Sequence, residues 1–469
     1  MQMADWVLLI LRVATLVAEA GIFGTLAVQA LSGPASAGRA AQDRLLAGLF
    51  GALLALLPGF MVAQAAVMVD AHGVAGIADA VWLVLLQTWV GHLVMLRAVA
   101  WVATWAAARR SVWLALAPAS LALALHAAAG HAVAAGEPVL FASVLVHVWA
   151  GCGWIGGLPA LVLALRGPDA TRLVRRYAWY GGGCVGLVAV TAWLQADALA
   201  GGLPGLLGTS YGQALLVKLG LLAGLLGLAI RHRFVLAPAL PARLDALRGS
   251  IWVELGLGVG VMAAASVLSS LPPGAHSQPD WPFSVRFSTQ LMDDDELRRE
   301  VLGAVQALGG ALLLLVLAFL ARRVRWPAIA AALVITWFAI PHLDLLLLPA
   351  VPTYYWQSET GESPASIAAG KAAYGPYCAS CHGVGGEGDR PLAKSLPIPP
   401  ADLTAAHLWD HTDGELYWWI AHGMPGPNGG LVMPASGLDD ATIWSLIDYI
   451  HANNPNKPAD GAPRGVHVH

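Results

Sequence analysis

The sequence predicts an all-α protein: a polytopic transmembrane helix bundle of about ten spans, followed by a small C-terminal haem-attaching domain. Three observations carry this. Of 469 residues, 57% are hydrophobic and 12% charged, where soluble domains carry roughly a quarter charged. Apolar runs of about 20 residues, the length that crosses a bilayer, recur through residues 1–350. Near the end, Cys378-Ala379-Ser380-Cys381-His382 is a C-x-x-C-H, the spacing of covalent c-type haem attachment.

The apolar runs fall at 6–30, 45–69, 81–107, 112–134, 139–165, 178–200, 211–236, 250–271, 301–321 and 326–349. The first is long, follows Asp5 rather than a basic cluster and has no small-residue cleavage site, so it reads as a retained helix. The loops separate by charge. Fifteen arginines (39, 44, 109, 110, 166, 172, 175, 176, 231, 233, 243, 248, 322, 323 and 325) fall on one side. The other side holds Arg286, Arg298 and Arg299 beside Asp280, the run Asp293 to Glu296, and Glu300. The positive-inside rule then places both termini, and the haem domain, on the outer face of a bacterial inner membrane. The net charge of −3 gives no sign of a nucleic-acid partner. The acidic run reads as a solvated periplasmic loop, with docking of a basic partner as the alternative.

Ionisable side chains inside spans are costly in hydrocarbon and therefore functional candidates. His92, His126, His147 and His342 fall at comparable depth in the outer half. His72, Asp70, His131, Asp344 and His276 lie nearer the outer mouth, with Met61, Met68 and Met95 close by. Imidazole and thioether suit copper, thioether the cuprous ion best. Two of His92, His126 and His147 would equally serve as axial ligands of haem b, or the imidazoles would simply bond helix to helix. Arg12, Glu19, Arg97, Asp197, Lys218 and Asp344 need inward-facing partners, Lys218 with Asp197 among them, or an interfacial position for Lys218. Cys152 and Cys184 read as small buried hydrophobes.

Between about 140 and 275, His147-Val-Trp149-Ala-Gly-Cys-Gly-Trp154-Ile-Gly156-Gly157-Leu158, then Thr209-Ser-Tyr211-Gly212 through Lys218, Arg231-His232-Arg233, Glu254 and Leu271-Pro272-Pro273 follow one another. Their order and spacing resemble the CopD family of copper-resistance membrane proteins. The resemblance implies copper import or handling, with a copper ion as partner.

The stretch Pro349 to Trp356 reads as an aromatic, proline-stiffened exit from the bilayer. Residues 351–364 read as a linker whose polar part is Glu359 to Pro364. Within 365–455, a helix starting at Ser363 or Ser366 runs through Tyr374 into Cys378. A last helix starts near Asp439-Asp440 and carries Trp444, Ile447, Tyr449 and Ile450. A zinc site would need two further ligands and a thioredoxin-type pair a βαβ setting, and neither is present. These residues resemble a class I cytochrome c. The resemblance implies that Cys378 and Cys381 hold haem c, that His382 and Met433 (in Met433-Pro434-Ala435) ligate iron, with Met424 the alternative, and that Gly370, Tyr374, Trp444 and Tyr449 lie at a helix crossing. His407, His411 and His422 read as surface residues, and 456–469, with His467 and His469, as a disordered tail.

The expectation is single-electron transfer between a membrane centre and a periplasmic or membrane redox partner, linked to copper handling. The alternative is a respiratory module whose bundle binds haem b or anchors the cytochrome to an oxidase or dehydrogenase.

Overall fold

A computed structural model describes residues 3–34, 36, 38–130, 136–165, 170–289, 292, 294–389, 396, 398–426 and 429–458. His131, Arg166, Asp293, His467 and His469, named above, lie outside the described residues. The chain divides into two compact units, Met1–Ser277 and Gln278–His469.

The first unit is all helix in its regular structure: α1 (Met3–Ser32), α2 (Arg39–Val69), α3 (Gly73–Gln87), α4 (Trp89–Ala108), α5 (Val112–Ala128), α6 (Pro138–Ala164), α7 (Ala170–Leu199), the short α8 (Gly202–Gly208), α9 (Ser210–Arg231) and α10 (Leu244–Leu268). Helices α1 and α6 are its hub. Glycine lets their backbones touch: a Cβ on Gly24 would lie 2.1 Å from Gly156 C, and one on Gly156 would lie 1.9 Å from Ala20 O. In a bilayer, where lipid is as apolar as leucine, such close backbone packing supplies much of the attraction between helices.

Among the described residues, nine helices of the chain are long and apolar enough to cross a membrane. The remaining expected run, 112–134, forms the 17-residue α5. The run expected at 81–107 is not one helix. Thr88 breaks it, its hydroxyl accepting from Gly91 N at 3.1 Å and donating to Val84 O at 2.7 Å. Gly91 permits the break, because a Cβ there would fall 2.0 Å from Val84 O.

The second unit starts with β1 (Val285–Phe287), which pairs antiparallel with β2 (Leu347–Pro349). Between them rise α11 (Asp295–Leu320) and α12 (Arg325–Ala339), packed on each other. The expected last span leaves α-geometry after Ala339 for a 3-10 turn at Ile340–Leu346, where Pro341 cannot donate a helical hydrogen bond. The C-terminal domain follows with α13 (Pro364–Tyr377), α14 (Ala379–His382), α15 (Asp413–His422), the hairpin β3 (Met424–Pro425) and β4 (Leu431–Met433), and α16 (Asp440–Asn453). Ser363 caps α13 and Asp439 caps α16, as expected. The two helices cross at Gly370, where a Cβ would lie 1.9 Å from Ser445 O, and Tyr374 meets Tyr449 at 5.2 Å between ring centres.

The segment 351–364 is bound along its length rather than free. Thr353 Oγ1 donates to Gly414 O (2.6 Å), Thr412 Oγ1 donates to Tyr354 O (2.8 Å), Trp356 packs on Tyr417, and Ser358 and Thr360 both donate to the fully buried Asp448. Composition read this stretch as a linker because its polar side chains suit water. They suit a buried carboxylate equally well.

Candidate functional site

The C-x-x-C-H turn is built by α13 running into α14. Cys381 N and His382 N both donate to Cys378 O, at 3.2 and 3.0 Å, so one tight turn presents both thiols and the imidazole. His382 Nδ1 donates to Ala401 O at 2.9 Å. That bond fixes the ring and its tautomer and leaves Nε2 as the metal-binding nitrogen. Burial pushes the His382 pKa down, against the opposing effect of the Ala401 bond, and so favours the neutral, ligating imidazole. Burial, with Cys381 alongside, pushes the Cys378 thiol up to about 11.

Facing the turn is an apolar cluster that includes Tyr374, Leu416, Tyr417, Ile443 and Trp444, with Cys378 and Met433 packed at its edge. Met424 and Met433 are direct cross-strand partners and so project from the same face of their hairpin. Of the two, Met433 is the one packed against the core. Gly423 lets α15 end there, since at φ +82° a Cβ would lie 2.5 Å from Met433 O. Two thiols on one turn, an imidazole with one nitrogen held, and a thioether at the rim of an aromatic core fit a covalently bound haem.

Of the other domain histidines, His422 and His407 are exposed as expected. His411 is not: it is 4% exposed, its ring against Trp419 and its Nδ1 3.9 Å from Glu415 Oε2. The capping box that starts α15, in which Thr412 and Glu415 bond each other's backbone, draws its neighbour His411 inside.

In the membrane unit the candidate histidines take separate partners. His92 is exposed and bonds Leu86 O across the α3–α4 break (3.2 Å). His126 Nδ1 lies 3.0 Å from Glu19 Oε2 and 3.1 Å from Arg97 NH1, able to donate to the first or accept from the second, one at a time. Glu19, fully buried, also faces Arg97 Nε at 3.2 Å and accepts from Trp101 Nε1 at 2.9 Å. His147 Nδ1 meets Thr191 Oγ1 at 3.0 Å on α7. His72 is exposed beside Asp70, and in the second unit His342 bonds Glu300 on α11 at 2.5 Å. Among the described residues no three His, Cys, Asp or Glu side chains gather closely enough to hold a metal ion. His92, His126 and His147 are thus not gathered into one such group. Equal depth in a bilayer does not bring helices together, and α4, α5 and α6 turn these rings to different neighbours.

Lys218 does not pair with Asp197, which is exposed. Instead it lines a small cavity of about 100 Å³ with His147, Gln195 and Tyr211, at the end of the bundle where α6 begins and α7 ends. At the opposite, arginine-rich end, a cavity of about 730 Å³ is lined by Tyr177, Trp179, His232, Arg233 and Glu254 among others. There His232 Nδ1 pairs with Glu254 Oε2 at 3.1 Å, and Trp154 Nε1 donates to Glu254 Oε1 at 3.1 Å. Residue type and spacing alone left His232 and Glu254 without a role. A carboxylate near the start of the apolar run 250–271 is the signal that marks them.

Three family models match the chain. Residues 3–139 match the copper resistance protein D-like N-terminal domain, 171–268 match copper resistance protein D, and 365–450 match the cbb3-type cytochrome c oxidase subunit III. Among curated proteins, the chain is 33% identical over 145 residues to a copper transport protein of Bacillus subtilis (strain 168), covering 29% of this chain and 26% of that one. It is 28% identical over 152 residues to copper resistance protein D of Pseudomonas syringae pv. tomato, covering 28% and 49%. Over 84 residues it is 37% identical to the cbb3-type oxidase subunit CcoP of Azospirillum brasilense, covering 18% and 26%. The chain thus spans between about a quarter and a half of the length of these relatives. No solved structure matches it. The likeness to copper-resistance proteins extends to the N-terminal half, beyond the 140–275 stretch whose motifs carried it in the sequence. Residues 3–139 and 171–268 are thus similar to copper-resistance membrane proteins, and residues 365–450 to a cbb3-type cytochrome c subunit.

Proposed function

We propose that this protein handles copper at the bacterial inner membrane, moving it through the CopD-like bundle, and that its cytochrome domain passes single electrons in support of that task. The observation that carries the proposal is the His382 turn, with its Nδ1 committed to Ala401, placed on the same chain as a copper-resistance-like bundle. Cys378 and Cys381 would attach a haem c, His382 Nε2 and the Met433 sulfur would hold its iron, and Tyr374 steadies the turn by donating to Gly383 O. The haem supplies a one-electron iron couple, with methionine ligation favouring a high potential. Charge asymmetry in the loops supports a periplasmic position for the cytochrome, within reach of a redox partner. The dispersal of the membrane histidines favours copper as cargo over copper or haem b as a resident centre.

The test is a reduced-minus-oxidised spectrum of the purified full chain, paired with copper accumulation in cells. We expect c-type bands alone, and copper accumulation that depends on the chain and falls when Cys378 and Cys381 are both changed to Ala. Bands of b-type would favour the respiratory reading, in which the CcoP-like domain serves an oxidase. Copper accumulation indifferent to loss of the thioethers would dissociate the two halves.

A further inference from the structure

The smaller cavity, at the end of the bundle away from the arginine-rich loops, is polar in one electrical sense. Lys218 and Tyr211 on α9, Gln195 on α7 and His147 on α6 line it, and no aspartate or glutamate takes part. Tyr211 and Lys218 stand two turns apart on one face of α9. Lys218 comes eight residues after Ser210, the first of that helix, so its backbone lies about 12 Å into the span. Beyond it the lining turns apolar, with Leu222 and the fully buried Leu225.

An ammonium at that depth is costly unless an opposite charge meets it. Among the described residues Lys218 has no ion pair and no hydrogen bond. Gln195 Nε2, across the cavity, is buried and donates to nothing, which is costly in its turn. His147 offers no compensation. Its Nδ1 donates to Thr191 Oγ1 (3.0 Å), a hydroxyl that gives its own proton to Leu187 O (2.7 Å), and a histidine ring brings no negative charge. A lone cation and an orphaned N–H thus line one enclosed space.

We propose that this cavity binds one small monovalent inorganic anion of the halide class, held between the Lys218 ammonium and Gln195 Nε2, with the Tyr211 hydroxyl as a further donor. Size and charge select it. A volume of about 100 Å³ has room for roughly three waters, enough for a monatomic anion with one or two of them and too little for a lipid headgroup. One ammonium balances one negative charge, and a dianion would leave the second uncompensated in a medium of low dielectric. The apolar lining beyond Lys218 makes the site a dead end, so the anion is resident rather than in transit. Its effect is mechanical. Helix α9 packs on α10 and α7 packs on α6, and the anion ties α7 directly to α9 through Gln195 and Lys218. The site needs no metal and stands apart from the copper reading.

The experiment is equilibrium binding of radiolabelled chloride to the detergent-solubilised full chain in gluconate buffer of fixed ionic strength, beside thermal unfolding with chloride exchanged for gluconate. We expect saturable binding of one chloride per chain, displaced by bromide and not by gluconate, and a higher unfolding temperature in chloride. Lys218→Met abolishes both effects, Lys218→Arg retains them, and Gln195→Leu weakens binding by about tenfold. If Lys218→Met does not fold, Gln195→Leu carries the test, and wild-type affinity there overturns the site. Absence of saturable binding in the wild type overturns it, as does binding that gluconate displaces as well as bromide, or binding unchanged in Lys218→Met.

Discussion

The cytochrome domain and the membrane bundle solve the placing of polar groups in opposite ways. In the first, five consecutive residues and one loop carbonyl assemble most of a site: Cys378, Cys381 and His382 share a turn, and Ala401 orients the imidazole. In the second, the buried carboxylates are met by residues dozens of positions away, Glu19 by Arg97, Trp101 and His126, and Glu254 by Trp154. A resident cofactor rewards convergence on one point. The bundle's polar groups are dispersed instead, which accords with the proposal above that copper is cargo rather than a resident centre.

The sharpest break of this contrast is at the haem turn. Cys378→Ala with Cys381→Ala should abolish covalent haem, read as complete loss of haem stain on a denaturing gel, while the bundle still inserts. Next comes the glycine contact in the membrane. Gly156→Leu drives a side chain into Ala20 O and should cost at least about 3 kcal/mol in bundle stability, as overpacking at a closed backbone contact does. The measurement is thermal unfolding of the detergent-solubilised chain. Glu19→Gln should cost a similar amount, about 3–5 kcal/mol, because Arg97 is then left charged and buried; Glu19→Gln with Arg97→Met should recover part of it.

Smaller effects sharpen the cytochrome side. Met433→Ala should lower the reduction potential and remove the methionine-to-iron charge-transfer band, whereas Met424→Ala should leave both nearly unchanged; potentiometric titration tests the pair. The smallest is a pH effect at His451, which stacks on Trp409 and whose pKa is lowered by burial. A depressed histidine pKa means the unfolded chain binds the proton more readily. The domain should therefore lose stability as pH falls below the ordinary histidine value of about 6.5, and His451→Phe should flatten that slope in denaturant titrations.

Much of the cytochrome domain was legible because its determinants are local. A serine cap, a C-x-x-C-H and a glycine one helix-width from an aromatic row specify themselves by spacing. The apolar runs were legible for the same reason, since length in a bilayer is a one-dimensional property. The break at Thr88 was hidden, because threonine is tolerated in an apolar run and only Gly91 beside it allowed the turn. The separation of His92, His126 and His147 was hidden too, since depth along a helix says nothing of the direction a side chain faces. His411 and the docked 351–364 segment show the converse error, in which polarity was taken for solvent.

That docked segment also bears on the electron transfer proposed above. A free tether of 14 residues would let its cargo roam roughly 20 Å, as flexible chains of that length do. Here Pro349 is tied into the β1–β2 pair and Thr353 is already bonded to Gly414 on the cytochrome, so three residues lie between two anchors. The domain is a mooring post rather than a swinging arm. In the electron-transfer role proposed above, a donor or acceptor would come to it by diffusion, and the partner's concentration and charge would set the rate of exchange.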